Sequence, residues 1–193
     1  MIISPSINVY LKTTETCNLN CKHCFTSGSN GAKVYFKPDK VIDFFTRLRK
    51  EAPWVHTIKY MFHGGEPMLA PVEDLYKAYH GLKEIFPKTQ FGMQTNLTYK
   101  LTDEKRKFMK DVLYEDGFGT SWDYDIRFGS TATNDKTREL VRQKQIELWE
   151  NNVRVLTQED GHYMTMIVCI TKRLIEEKEP IDIINYAHSL GFK

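Results

Sequence analysis

Residues 57–67 read Thr57-Ile58-Lys59-Tyr60-Met61-Phe62-His63-Gly64-Gly65-Glu66-Pro67. The first six are mostly β-branched, aromatic or apolar, the composition of a strand. Two glycines, an acid and a proline then stop it. The same alternation of strand and break extends in both directions. Upstream, Ile7, Val9 and Leu11 alternate with Asn8 and Tyr10, which predicts a first strand. Pro38 opens a helix carrying Val41, Phe44, Phe45 and Leu48 at the i, i+3, i+4, i+7 spacing. Downstream, Leu75, Ala78, Tyr79, Leu82 and Phe86 mark a second helix, stopped by Pro87.

The pattern continues to the end of the chain. Gln90 to Thr95 reads as a third strand, and Thr102 as the N-cap of a helix with Phe108, Val112 and Leu113. Gly117 to Trp122 is a fourth strand. Asn134 or Asp135 caps a helix with Leu140, Val141, Leu148 and Trp149. Tyr163 to Ile170 is a fifth, strongly apolar strand, in which Cys169 reads as a small core hydrophobe. The turn signal Asp160-Gly161 suggests that Val153 to Thr157 forms a hairpin with it. Pro180 starts a last helix with Ile181, Ile184 and His188, ending near Gly191. Ser27 to Ala32 is the flexible-looking loop. Strand followed by helix, five times over, means parallel βαβ units in an α/β fold, either an open doubly wound sheet or a barrel. The expectation is a single domain over residues 1–193. The chain stops where a sixth strand should begin, which points to a truncated chain or an unusually short one.

Composition narrows the function. The 193 residues carry 27 Lys+Arg against 25 Asp+Glu, a formal charge of +2, with no electrostatic reason to invoke nucleic acid or an anionic membrane. Hydrophobic residues at 41% and charged residues at 27% exclude a disordered chain, a collagen or a coiled coil. No apolar run approaches the roughly 18 residues of a membrane span. The N-terminal MIISPSINVY has no basic patch and no apolar signal core, so a soluble cytoplasmic protein is expected.

The unusual segments share one register. Cys17-Asn-Leu-Asn-Cys21-Lys-His23-Cys24 follows the first strand, and His63 to Pro67 follows the second. Gln94-Thr95-Asn96 ends the third and Ser121-Trp122-Asp123 the fourth. In a parallel α/β sheet these positions lie at the carboxyl edge, where ligands bind. Three cysteines in eight residues, without a signal peptide, point to metal binding or catalysis rather than disulfides. Structural zinc normally takes four ligands. His23 lies between two of the cysteines, where ring geometry is awkward for a fourth. A [4Fe–4S] cluster held by three thiolates would leave one iron open to another ligand.

Cys17-x3-Cys21-x2-Cys24 resembles the cluster motif of the radical S-adenosylmethionine (radical SAM) enzymes, with His23 at the usually aromatic position. The Gly64-Gly65-Glu66-Pro67 segment after the second strand is similar to that family's GGEP, as is the order of elements around it. The resemblance implies a partial (β/α) barrel with about five of its six βα units present. It implies a [4Fe–4S] cluster on Cys17, Cys21 and Cys24, and SAM bound at Gly64, Gly65, Glu66 and Pro67, with the Glu66 carboxylate accepting from the SAM ammonium. His23 would pack on the adenine. An electron donor such as flavodoxin or ferredoxin is also implied.

Within the family, the chain is most similar to the peptide- and protein-modifying branch, the anaerobic sulfatase-maturase-like enzymes. Gln94-Thr95-Asn96 is similar to its QTNG, and Gly119-Thr120-Ser121-Trp122-Asp123 to its GxSxDG. That likeness places Asn96, Ser121 and Asp123 at the cofactor, with Ser121 on the SAM ribose and Arg138 on the SAM carboxylate. Leu97 and Tyr124 stand where the branch has glycines. Cys169 is the one cysteine left, too few for the auxiliary clusters of that branch's C-terminal domain. A peptide or protein substrate is therefore expected. The alternatives are a compact small-molecule radical SAM enzyme or activase, and a non-enzymatic zinc-binding module.

Overall fold

The computed structural model describes residues 6–24, 33–113 and 117–193. The flexible-looking loop at Ser27 to Ala32 lies outside the described residues. Among these, five strands form one sheet: β1 (Ser6–Thr14), β2 (Thr57–Gly64), β3 (Thr89–Thr95), β4 (Phe118–Ser121) and β5 (Met164–Ile167). They lie side by side in sequence order, every pair parallel. Helices α1 (Pro38–Glu51), α2 (Val72–Ile85), α3 (Asp103–Phe108) and α4 (Asp135–Arg154) fill the crossovers. The short α5 (Lys172–Glu177) and then α6 (Pro180–Ser189) follow β5. This is the parallel α/β sheet that the repeating pattern predicts, in the open, partial (β/α) barrel form that the resemblance implies.

The local signals act where they stand. Pro38 sits in the first turn of α1. The Thr102 hydroxyl accepts from Lys105 N–H at the start of α3, and Asn134 from Thr137 N–H at the start of α4. Along β2, Ile58, Tyr60 and Phe62 alternate with half-buried residues and are fully buried. Tyr60 and Phe62 both stack on Phe91 of β3, at 5.2 and 5.9 Å between ring centroids. Leu75 and Leu82 of α2 join the same core. No described helix is long and apolar enough to cross a membrane.

Two expectations fail. Val153 to Thr157 forms no hairpin: α4 continues into a wider helical turn at Val155–Glu159. Val153 and Leu156 are buried in the core, so packing overrides the β-branched composition. Asp160-Gly161 still makes the turn, with Gly161 at φ 71°, but it leads from helix to strand. The apolar run at Tyr163 to Ile170 is also longer than its strand, since only Met164–Ile167 pairs with β4. Cys169 therefore lies beyond the sheet rather than inside it. The short α5 carries too little apolar periodicity to be read from the chain.

Helix α4 is pinned to the carboxyl side of β3. The buried Asn152 donates from Nδ2 to the carbonyls of Leu97 and Tyr99, at 2.9 and 2.8 Å. Leu97 itself has φ 51°, a left-handed conformation that costs a non-glycine residue about 1 kcal/mol or more. The branch pattern has glycine at this position. Here the wholly buried leucine side chain offsets the strain. Asn152→Ala would leave two buried carbonyls without donors. It should lower the unfolding free energy by about 2–4 kcal/mol, measured by urea denaturation.

Candidate functional site

A cavity of about 460 Å³ opens at the carboxyl ends of the strands. Its wall holds Cys17, Cys21, Cys24 and His23 after β1, and His63 to Glu66 at the end of β2. Gln94 to Asn96 at the end of β3, Ser121 at the end of β4 with Asp123 just past it, and Ile167 at the end of β5 with Cys169 just past it complete it, with Arg127. All the segments singled out by register thus meet in one place. Pro67 does not line the cavity; it is buried at the start of the turn Pro67–Leu69. Arg138 does not line it either: its half-exposed guanidinium pairs with Asp135, 3.1 Å away. The guanidinium at the cavity belongs to Arg127.

The ends of β1 and β2 are stitched together by their backbones. Gly65 N–H donates to Thr14 O at 2.9 Å, and Glu66 N–H to Thr16 O at 2.8 Å. So close an approach demands glycine: a Cβ on Gly65 would sit 2.2 Å from the Thr16 carbonyl oxygen. Gly119 serves β4 in the same way, since a Cβ there would meet the Gln94 side chain at 2.5 Å. Gln94 donates to the Ser121 hydroxyl at 3.0 Å, which leaves the Ser121 hydrogen directed elsewhere.

Glu66 differs from its sequence assignment in what its carboxylate touches. It is 1% exposed. Oε1 accepts from Met68 N–H at 3.0 Å and from the Thr95 hydroxyl at 2.7 Å, and Oε2 from Asn96 N–H at 2.7 Å. Burial pushes its carboxyl up to about 7, and these three donors restrain the rise. The side chain ties the end of β2 to the end of β3.

The cysteine loop is held by three polar pegs from outside it. Asn18 Nδ2 donates to Thr98 O at 2.8 Å, Asn20 N–H to the Ser130 hydroxyl at 3.2 Å, and His23 Nε2 faces Asp123 Oδ2 at 3.2 Å. Leu19, 2% exposed, is the loop's apolar anchor. The Asp123 carboxylate is wholly buried. Arg127 contacts Oδ2 through Nε at 2.7 Å and through Nη2 at 2.5 Å, while Cys169 N–H donates to Oδ1 at 3.3 Å. Burial alone would raise this carboxyl; Arg127, Cys169 and His23 outweigh it and hold the group below its usual range. His23 Nε2, an Asp123 oxygen and Cys169 Sγ lie within 4.8 Å of one another. With Arg127 already neutralising the carboxylate, that trio is a hydrogen-bonded clamp rather than a cation site.

The three thiols fit a soft metal centre. All three are half-buried, and they face one cavity from one short loop. Burial pushes the Cys17 thiol up to about 11 and also raises Cys21, so thiolate is costly here unless a cation compensates it. Leu19 N–H, 3.4 Å from Cys17 Sγ, is already placed to support a thiolate. His23 turns its Nε2 to Asp123, away from the role of a fourth ligand. Cys169, Arg127, Asn18, Thr98 and Ser130 have no place in the motifs. For Cys169 the usable signal was its position past the fifth strand, on the same rim as the rest.

A parallel α/β sheet with a three-thiol loop over a rim cavity defines a protein that holds a metal group beside a small ligand. Residues 11–184 match the Radical SAM superfamily, and the chain belongs to that family. Its cofactors are a [4Fe–4S] cluster and S-adenosylmethionine. Among solved structures, the anaerobic sulfatase maturase anSMEcpe with bound AdoMet is similar at 22% identity and a TM-score of 0.53, over 91% of this chain and 54% of that one. BtrN in complex with AdoMet and 2-DOIA is similar at 17% identity and a TM-score of 0.50, over 87% and 57%. An uncharacterized protein of Methanocaldococcus jannaschii is 38% identical over 63 residues, 32% of this chain and 20% of its own length. The chain spans little more than half the length of these solved structures, and a fifth of the curated relative.

Two substitutions test this geometry. Gly65→Ala forces the Thr16 backbone away from β2 and should cost about 1–3 kcal/mol in urea unfolding, as overpacked sites do. Glu66→Gln sets an amide N–H₂ against a backbone N–H donor and should cost about 1–3 kcal/mol at about pH 4, where the wild-type carboxyl has its full stabilising share. Because the folded-state value of Glu66 lies above its ordinary 4.5, its stabilising share is complete below that pH and is lost as pH rises through about 7. The Gln variant should flatten that part of the stability profile.

Proposed function

We propose that Cys17, Cys21 and Cys24 hold the [4Fe–4S] cluster, that SAM occupies the adjoining cavity, and that the substrate is a peptide or protein. One observation carries the reading: three thiols of one loop face a cavity whose remaining walls come from the ends of β2, β3, β4 and β5. When bound, the reduced cluster and SAM together supply a 5′-deoxyadenosyl radical that takes a hydrogen atom from the substrate. The chain's own residues bind, orient and exclude water. The stitched backbone at Thr14, Gly65 and Glu66 fixes the wall on one side of the cysteines. Ser121, braced by Gln94, presents its hydroxyl as the ribose donor. Lys22 and Arg127 are cations on the cavity wall, Arg127 already paired with Asp123; the family spacing gives the SAM carboxylate to Arg138. Pro67 and Glu66 act on SAM through the turn they build. A reducing cytoplasm suits such a cluster, with a flavodoxin or ferredoxin as electron donor.

The peptide reading is supported by the Ser121–Asp123 segment and by anSMEcpe, which is also similar in complex with the Cp18Cys peptide, at 20% identity and a TM-score of 0.51 over 86% of this chain and 52% of that one. BtrN, with 2-DOIA, supports the small-molecule alternative. Ile167, which lines the cavity and is 47% exposed, offers an apolar lip that a peptide would cover.

Anaerobic reconstitution should load about four irons and four sulfides per chain. Dithionite and SAM should then give 5′-deoxyadenosine. Alanine at any one of Cys17, Cys21 or Cys24 should abolish both, and Cys169→Ala should leave the iron content unchanged. A stoichiometric zinc site without iron uptake overturns the cluster reading. A desalted peptide pool should raise 5′-deoxyadenosine formation above a small-metabolite pool; the reverse ranking favours the small-molecule alternative.

A further inference from the structure

A side chain from outside the cysteine motif reaches one of its sulfur atoms. Asn96 Nδ2 lies 3.6 Å from Cys17 Sγ and also donates to Asn18 Oδ1 at 2.9 Å. The other end of the amide is taken, because Oδ1 accepts from Thr98 N–H at 2.9 Å and from the Thr98 hydroxyl at 2.7 Å. Two donors on the oxygen settle which way the amide points, so the N–H₂ faces the sulfur. Asn96 is 5% exposed, which keeps water from competing.

The Leu19 N–H, 3.4 Å away, is a second donor to the Cys17 sulfur and belongs to the cysteine loop itself. The Glu66 carboxylate acts against negative charge on that sulfur, but it is itself covered by donors, Asn96 N–H at 2.7 Å among them.

Donors on ligand sulfurs withdraw charge from an iron–sulfur cluster, and so stabilise its reduced, more negative state. We propose that the Asn96 side-chain amide sets the reduction potential of the cluster, holding it above what the three thiolates alone would give. The proposal rests on the reading that Cys17, Cys21 and Cys24 hold a [4Fe–4S] cluster. In this role Asn96 is not catalytic; it acts through a ligand sulfur.

The test is a redox titration of the reconstituted chain, followed by visible and electron paramagnetic resonance spectra, with neither SAM nor substrate present. Asn96→Ala, which removes the donor, should lower the reduced-to-oxidised ratio at a fixed potential about tenfold, a downward shift of about 59 mV for one electron. Asn96→Asp, which keeps the acceptor for Thr98 but turns an acceptor to the sulfur, should lower it at least as far. If Asn96→Ala fails to fold, Asn96→Asp decides alone. An intact four-iron cluster in either variant with an unmoved or raised potential overturns this proposal and leaves the ligand reading standing. A wild-type chain that loads no cluster on the three cysteines overturns the ligand reading and this proposal with it.

Discussion

Burying the Glu66 carboxylate at the carboxyl end of β2 constrains everything around it. A carboxylate taken fully out of water must find donors or lose its charge. Here it finds the N–H of Met68 in its own turn, and the Thr95 hydroxyl and Asn96 N–H at the end of β3. The residue before it in the chain, Gly65, is backed directly onto the segment that leads into Cys17. That side chain and the backbone beside it thus fix the relative heights of three strand ends, and the cavity wall follows from those heights.

Asp123 does the corresponding work on the far side. It joins the cysteine loop through His23, the β4 crossover through Arg127 and the segment after β5 through Cys169 N–H. Both acids sit where a parallel sheet leaves its strand ends unpaired. Both answer the same need, because loops at that edge carry polar backbone groups that must be satisfied. The two differ in sign of effect. Burial dominates at Glu66 and raises its carboxyl, whereas at Asp123 burial is outweighed by Arg127, Cys169 and His23 together, and the carboxyl is lowered.

The five strands and the four crossover helices were legible because periodic burial leaves a trace of period 2 or 3.6 along the chain. The rim was legible because the breaks between periods all fall on one edge. Residues that act by hydrogen bonding from loops leave no such trace. Asn18, Thr98 and Ser130 look like any turn residue. Arg138 was reached by counting along a family spacing, but residues 122–134 form turns, so distance along the chain does not set position in space. Arg127 lies only four residues past Asp123 and meets it directly. Cys169 was misread because an apolar run outlasts the strand it contains. Leu97 was visible as a departure from the pattern, yet its positive φ was not, since a buried leucine normally avoids that region.

The pegs that hold the cysteine loop have a consequence for its portability. Asn18, Asn20 and His23 are answered by Thr98, Ser130 and Asp123, which lie 80 or more residues further along, in the segments after β3 and β4. Residues 17–24 alone therefore carry the ligands without the means of holding them in shape. Transplanted to another scaffold, this octapeptide would be a flexible chelator whose sulfurs meet only when metal gathers them. In its native setting the gathering has been done beforehand by folding, and the ordering entropy of the loop has been met by the barrel rather than drawn from the affinity for iron.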